Sequence, residues 1–540
     1  MPFPDNLLIF LRLFLFIFLQ WDAGSLVWRN PNHHPPFLHP FNSTEGAGIA
    51  ETSDLSPLQC FELFVNDDLY NYFVAETNRF AHQYIDEHQN LPRYSRVHDW
   101  VDVDRQEMKK FLGLMLLMGI VHKPAISMYW STDVLYQTPI YTEIMRRNRF
   151  QLILKFLHFN DNSKAPATDD ANRDRLYKIR PLIDHLCEKF QEAYTPGPSV
   201  AVDETLLLWK GRLAFRQYLP LKRSRFGIKM FCLSEVSGYT YKFRIYTGKQ
   251  DPATDIANFV PDECSGFSSS EKVVIYLMMP LLDKGYTLWS DNWYTSCRLY
   301  SYLHHRKTTA CGTIRCNRAP TEIRREMPVK GQSVALRCEE LLCLKYKDKK
   351  DVYMLTTQHD ESAAKITRRR GRPSSDPDLD MKPVCIIEYN QNMGGVDKQD
   401  QFLQPYSAAR KSMKWYKKLA VHLIQVALLN AFILKKKTDV NLTFERFQHD
   451  VIADLIFSDG DEDCSNEAKQ ETLARLTGRH FPELLVPTET WTKPQARCRV
   501  CSKKQIRRDV KTICPTCPDK PGLCTSPCFK LWHTKLRYWE

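Results

Sequence analysis

The end of the chain carries Cys498-x2-Cys501, Cys514-x2-Cys517, Cys524-x3-Cys528 and His533, six of the seventeen cysteines in 540 residues. This spacing constrains the fold more tightly than any other feature. A Cys-x2-Cys turn presents two thiolates to one tetrahedral ion, and three pairs with a histidine exceed the four ligands of a single site. Two structural Zn²⁺ ions are therefore expected, with Cys498, Cys501, Cys514, Cys517, Cys524, Cys528 and His533 as ligands. Interleaved pairs would form a cross-brace, and His480 in Gly478-Arg-His-Phe could supply the eighth ligand. A disulfide knot is the alternative. It conflicts with the other cysteines, which are scattered singly in the manner of a chain from a reducing compartment. So little apolar sequence surrounds the ligands that this module should depend on its metal to fold.

The same tail is basic. From Lys493 onward twelve Lys and Arg stand against three Asp and Glu, whereas Asp459-Gly-Asp-Glu-Asp463 just upstream is acidic. A formal net charge of +12 and a pI near 8.8 would by themselves fit solubility as well as attraction to polyanions. Clustering at the tail favours phosphates. With 43% hydrophobic residues, a chain of this length can bury several cores.

Three aspartates sit at the edges of apolar or Gly-rich runs. Ser199-Val-Ala-Val-Asp203 follows Pro-Gly-Pro and reads as a buried strand with its carboxylate near the end. Tyr286-Thr-Leu-Trp-Ser is a second strand, entered from the turn at Lys284-Gly285 and leading into Asp291. Asn292-Trp-Tyr-Thr-Ser296 then opens a helix that Asp291 could simply cap. Asp397 and Asp400 follow Gly394-Gly395 and lie three apart on a helix, hence on one side. Most of the 63 acidic residues are solvated surface charges. A carboxylate at a buried strand end instead needs a partner or a cation. Several such carboxylates in one pocket can hold two hard cations ~3.5–4 Å apart, the arrangement of phosphodiester cleavage and strand transfer.

Four segments together carry a resemblance: Asp203-Glu-Thr-Leu-Leu-Leu-Trp-Lys-Gly-Arg212, Ser290-Asp-Asn-Trp-Tyr-Thr-Ser296, Gly312-Thr-Ile-Arg-Cys-Asn-Arg318, and Tyr389-Asn-Gln-Asn-Met-Gly-Gly-Val-Asp397 continuing to Lys414-Trp-Tyr416. In this order they resemble the piggyBac transposase family, over roughly residue 60 to the C-terminus. The resemblance implies an α/β chain with an RNase H-like (retroviral integrase-like) core, an inserted domain, an N-terminal helical region and a C-terminal cross-brace zinc domain that binds terminal DNA. It implies Asp203, Asp291 and Asp397 as catalytic ligands of two Mg²⁺ ions, with Asp400 as a further needed acid. It also implies a nuclear homodimer acting on double-stranded DNA, cutting transposon ends through hairpins and joining them to TTAA targets. A domesticated, transposon-derived protein that binds DNA without moving it is the alternative, and the intact acids and cysteines favour the enzyme.

The expected organisation runs in seven parts. Residues 1–56 hold an apolar run from Leu7 to Leu19, short for a membrane span and without a basic leader, followed by a Pro/Gly/Ser-rich linker. Residues 57–198 read as helices whose Met and Phe stripes are plain core, and resemble the family's dimerisation and DNA-binding helices. The core occupies 199–304 and 389–455, with strands at 199–209, 227–236 and 240–247; 305–388 is the inserted domain, 456–492 an acidic linker and 493–540 the zinc domain. No membrane partner is expected. Arg368-Arg-Arg-Gly-Arg-Pro373 is either an AT-hook-like minor-groove peptide or a basic loop. Arg315, Asn317 and Arg318 are candidate DNA contacts, as are Lys411, Lys414 and Trp415, the last offering a stacking face or ordinary core.

Overall fold

The computed structural model describes residues 26–31, 36–47, 54–167, 170, 173–220, 225–248, 255–365, 381–411, 413–457, 475–476, 479–487, 494–517, 519–535 and 538–539. The apolar run at 7–19, the basic peptide at 368–373 and the acidic stretch at 459–463 lie outside them. The chain divides into two compact units. One comprises 163–405 and 411–442 with the N-terminal 56 residues, the other 57–162, 406–410 and 443–540. The helical region expected at 57–198 is thus split near residue 162, and its last part belongs with the strands.

After a short helix at Pro57–Glu62, the second unit continues with the longer helices α1 (Asp67–Glu87), α2 (Arg105–Leu117) and α3 (Arg147–Phe156). Side chains of Asn66 and Asp104 accept the Leu69 and Glu107 amides and so start the first two helices. The Met and Phe stripe of α2 is buried, as a core face should be.

The first unit is built on one nine-stranded sheet: β1 (Ser199–Leu208), β2 (Gln217–Tyr218), β3 (Phe226–Glu235), β4 (Thr240–Ile245), β5 (Thr287–Ser290), β6 (Thr309–Thr313), β7 (Ser333–Cys338), β8 (Leu341–Lys347) and β9 (Asp351–Thr356), in the spatial order β2-β3-β1-β5-β6-β9-β8-β7 with β4 also on β3. Val200, Ala201 and Val202 of β1 are fully buried, the continuous apolar run of a strand covered on both faces. β1 runs antiparallel to β3, from Val200↔Glu235 to Leu208↔Gly227, and parallel to β5, from Ser199↔Thr287 to Val202↔Ser290. Parallel neighbours need crossovers, and helices supply them: α5 (Ser269–Met278) leads into β5 and α6 (Cys297–His305) joins β5 to β6, while α4 (Arg180–Glu192) precedes β1.

After β9 the chain forms α7 (Val384–Asn392), α8 (Gly395–Leu403) and α9 (Trp415–Thr438). Gly395 lets α8 approach the sheet, since a Cβ there would collide with the Glu235 carbonyl at the end of β3. Among the described residues α9 is the one helix long and apolar enough to cross a membrane. With mean hydropathy 1.5 and 94% of that window buried, it is a core helix packed on α8 and α4.

Two expectations change. Residues 305–388 do not form a separate inserted domain at the level of the sheet. β6 is a parallel core strand beside β5, and the β7–β9 meander extends the same sheet through the pairing Met354↔Thr313 to Thr356↔Cys311. The N-terminal stretch expected as a linker is docked wherever it is described. Arg29 exchanges backbone hydrogen bonds with Arg337 on β7, Phe41 packs edge-on against Tyr286, and Gly46–Ala47 pairs with Tyr194–Thr195.

Gly312 lies opposite Ser290, where the Ser290, Thr295 and Tyr300 hydroxyls form a buried triangle with edges of 2.9–3.2 Å. A Cβ at 312 would collide with the Ser290 carbonyl and the Tyr300 hydroxyl. Gly312→Ala is expected to lower the unfolding free energy by ~1–3 kcal/mol, as overpacking does, read as a shift in the denaturant midpoint.

Burial lowers His304 of α6 and His422 of α9 to about 4. The unfolded chain binds those protons near pH 6.5, so the stability tied to neutral imidazoles is intact above that pH and is lost as pH falls from there toward 4. The thermal midpoint should therefore drop between pH 7 and 5, and less so in His422→Leu.

Candidate functional site

Asp203 and Asp291 follow Val202 and Ser290, the last residues paired in the parallel β1–β5 register. They begin side by side on chains about 4.8 Å apart. Both are half-buried. Asp203 Oδ1 accepts the Glu204 amide at 2.7 Å, and Asp291 Oδ1 accepts the Trp293 amide at 2.9 Å. Asp291 therefore closes a short turn rather than capping a helix. Helix α6 starts later, at Cys297, with Ser296 accepting the Leu299 amide as its cap. Burial raises the Asp291 carboxyl above its ordinary range, and Glu204 adds to this, against the opposing pull of the Trp293 amide and Arg315.

Asp400 arrives from α8. Its Oδ1 accepts the Thr205 hydroxyl at 2.6 Å, on the strand face two residues beyond Asp203. Between them lies Cys232, opposite Asp203 on β3, whose thiol is pushed well up by burial, with Asp400 and Asp203 adding to the effect. Asp397 occupies the exposed first turn of the same helix. Asp203, Asp291 and Asp400 thus gather at the middle of β1, where β5 ends, and Asp397 lies on the helix that carries Asp400. Among the described residues, however, no group of three or more carboxylates has its oxygens within 4.8 Å of one another. Like charges spread apart.

Around the acids stand residues that sequence reasoning did not single out. Glu204 accepts from the Tyr294 hydroxyl at 3.3 Å and lies 3.9 Å from Lys229, whose ammonium sits over the Phe231 and Trp293 rings at 4.6 and 4.7 Å. Only Glu204 had a local signal, as the neighbour of Asp203. Arg315 donates to Asn292 at 3.2 Å, and Arg318 to the carbonyls of Trp293 and Thr295 at 3.2 and 3.1 Å, so both fold onto the Asp291 turn. Asn317 is exposed beside them. Lys411 and Lys414 are exposed before α9, and Trp415 packs edge-on against Phe215 at 5.4 Å. Lys417 is driven down to about 7 by burial, then by the charges of Lys414 and Lys178, which places three ammonium groups together. The spacing of Lys411, Lys414 and Lys417 could have shown part of this cluster. Lys178 is distant in sequence and could not.

The second unit closes with α10 (Phe444–Phe457) and, in the tail, α11 (Cys528–Thr534). Two ligand clusters form there: Cys498, Cys501, Cys524 and Cys528, and His480, Cys514, Cys517 and His533. They interleave in sequence, as a cross-brace requires, and His480 joins the second. Cys501 Sγ lies 3.7 and 3.5 Å from the sulfurs of Cys524 and Cys528, too far for disulfides. Four ligands around Zn²⁺ at ~2.3 Å would leave S···S edges of ~3.8 Å, so the donors fit the ion. In the second cluster His480 Nδ1 is 3.3 Å from Cys514 Sγ, and His533 Nε2 is 3.5 Å from Cys517 Sγ. His533 Nδ1 faces the Phe529 carbonyl at 2.8 Å, the second hydrogen bond that fixes a ligating tautomer. Burial also pulls His533 down to about 4 and so keeps it neutral.

This module begins well before residue 493. The buried Arg475 guanidinium donates to the carbonyls of Trp532 and Lys535 and lies over the Trp532 ring, and Glu483–Leu484 pairs with Thr512–Ile513. The expected acidic linker therefore stops short of residue 475. Between Cys501 and Cys514 in sequence, residues 503–511 expose Lys503, Lys504, Arg507, Arg508 and Lys511.

A family model described as Transposase IS4 matches residues 56–432, and one described as a DDE_Tnp_1-like zinc finger matches residues 484–534. The human PiggyBac transposable element-derived protein 2 is 26% identical over 420 residues, covering 76% of this chain and 66% of that protein. The chain belongs to the piggyBac transposase family. Human PiggyBac transposable element-derived protein 5 is 22% identical over 417 residues, 74% of each chain. The chain spans about two thirds of the length of the first of these relatives. In fold it is similar to a piggyBac transposase solved by cryo-EM as a synaptic complex with hairpin DNA. That likeness has a TM-score of 0.64 at 24% identity and covers 90% of this chain and 100% of the other. The sheet with its flanking helices is thus the RNase H-like core expected for a piggyBac chain.

Full-length protein should bind two equivalents of zinc by elemental analysis, and His480→Ala about one. A strong chelator should unfold the tail, read as new proteolysis within 479–535. A single equivalent in the intact protein would exclude the second cluster as a zinc site.

Proposed function

We propose that the chain is a DNA transposase of the piggyBac type, cutting transposon ends through hairpinned intermediates and joining them to TTAA targets. The observation that carries this reading is the parallel register that sets Asp203 beside Asp291, with Asp400 held to the same strand by Thr205. Carboxylate oxygens suit hard cations, and the raised carboxyl of Asp291 beside Glu204 is what a cation would relieve. Asp203, Asp291 and Asp397 would hold two Mg²⁺ ions, which when bound supply an activated nucleophile and neutralise charge on the phosphodiester. Asp400 ties α8 to β1 and so keeps Asp397 within reach of the pair. Arg315 and Arg318, anchored to the Asp291 turn, orient the phosphates on either side of the cleaved bond. Lys411, Lys414 and the neighbouring Lys178 and Lys417 hold the backbone further along, with Trp415 as a partial stacking face. The zinc module presents its basic loop to terminal DNA, and the protein works in the nucleus as a homodimer.

One site serves successive transfers, because the 3′-hydroxyl freed by the first cut remains beside the same carboxylates. No histidine is needed as a base.

The relatives are named as transposable element-derived proteins, so DNA binding without transposition is the competing reading. An excision reporter flanked by matching terminal repeats separates the two. Intact protein is expected to excise and leave TTAA, while Asp291→Ala and Asp203→Asn lose excision by at least ~10³-fold, as for removal of a metal-holding acid, yet still bind the ends. Binding without excision by the intact protein would establish the competing reading.

A further inference from the structure

We propose that a cavity of about 510 Å³ beside the Asp291 turn receives one unpaired nucleotide of the DNA substrate, its phosphate on arginines and its base against Trp28. The proposal rests on the transposase reading and deepens it. The N-terminal segment at 26–31 builds one wall, joined to the sheet edge at β7 by an isolated bridge of two hydrogen bonds between Arg29 and Arg337, of 2.9 and 2.8 Å. Along it Trp28 turns inward while Val27 and Arg29 are exposed, the alternation of an edge strand. The start of α6, with Ser296 and Arg298, and the loop carrying Asn317, Arg318 and Arg324 complete the cavity.

Its charge is one-sided. Arg298, Arg318 and Arg324 line it, and no carboxylate does. Each guanidinium commits few of its five donors: Arg298 to the Gly266 carbonyl at 2.9 Å, Arg324 to Thr321 at 2.7 Å, and Arg318 to the two carbonyls named above. The amino end of α6 adds partial positive charge. Three like charges around one cavity are relieved by an anion, and planar forks with spare donors suit phosphate. A bare phosphate would leave most of the volume empty, whereas cavities of this size take whole small ligands, and an indole offers a base a stacking surface.

Position ties the cavity to the acids. Arg318 binds the carbonyls of Trp293 and Thr295, and those residues in turn bind Asp291, through the Trp293 amide to Oδ1 and the Thr295 hydroxyl to the carbonyl, both at 2.9 Å. A paired base inside a duplex could not enter, so the occupant is a nucleotide outside the helix.

Fluorescence anisotropy of the full-length protein, with a duplex carrying a single-nucleotide 5′ overhang and a blunt duplex of the same sequence, tests this. The overhang is expected to bind about tenfold more tightly, and that ratio to approach one in both Trp28→Ala and Arg324→Ala; the exposed Arg324 guards against a merely misfolded Trp28 variant. Millimolar dAMP should erode the preference and inorganic phosphate should not. Equal binding of the two duplexes by the intact protein overturns the proposal, as does erosion by phosphate equal to that by dAMP, because the base would then have no site. Failure to bind either duplex would instead remove the transposase reading beneath it.

Discussion

Four residue pairs between two parallel strands decide what this molecule can do. Ser199↔Thr287 to Val202↔Ser290 is a short register, yet it delivers two carboxylates to adjacent chain positions at the point where β5 ends and β1 runs on along β3 to Leu208. A slip of one residue would turn every side chain of β1 to the opposite face. The register is protected by what surrounds it. Val200, Ala201 and Val202 are fully buried, β3 pairs with β1 over its length, and on the far side of β5 only glycine at 312 fits against Ser290. The site is precise because the sheet beneath it has no alternative packing.

Holding acids together costs stability, and the fold offsets part of that cost with hydrogen-bond donors and the Lys229 ammonium. Asp203 and Asp291 each take a backbone amide, Asp400 takes the Thr205 hydroxyl, and Glu204 takes the Tyr294 hydroxyl with Lys229 at 3.9 Å. Arginines stand one layer out, anchored to carbonyls of the Asp291 turn. An arginine clamped directly to a catalytic carboxylate would neutralise it. Anchored to carbonyls behind the turn, Arg318 would, on the proposed function, meet the charge of a phosphate approaching from outside.

What could be read from the sequence follows the range of each interaction. Strands expected at 199–209, 227–236 and 240–247 form at Ser199–Leu208, Phe226–Glu235 and Thr240–Ile245, because local pattern marks them: an apolar run at Val200-Ala201-Val202 and alternation in Thr-Tyr-Lys-Phe-Arg-Ile. The cysteine pairs were equally plain, since both ligands of a pair lie within one turn of chain. Pairing between distant segments leaves no such mark. Nothing local in 333–356 says that those strands extend the main sheet, and nothing in Trp28-Arg29 says that it will bind the edge of β7. The turn at Asp291 was missed for a subtler reason. Asn292 to Ser296 has the composition of a helix start, and the cap is Ser296, chosen by tertiary contacts over the earlier aspartate.

The tail solves the opposite problem from the sheet. Of the nine residues that form its buried cluster, six are the cysteines themselves, joined by Val500, Leu523 and Trp532. Such a core gains little from apolar transfer and depends on bonds to metal, so the module has no folded state to fall back on without the ion. That dependence frees its surface. With the interior held by coordination, the segment 503–511 sends only Val510 against the buried cluster and can expose five basic side chains where a hydrophobic domain of this size would need to bury apolar ones. The ligand clusters and the basic surface thus go together: where coordination takes the place of an apolar core, the basic side chains stay outside and, on the proposed function, would face DNA.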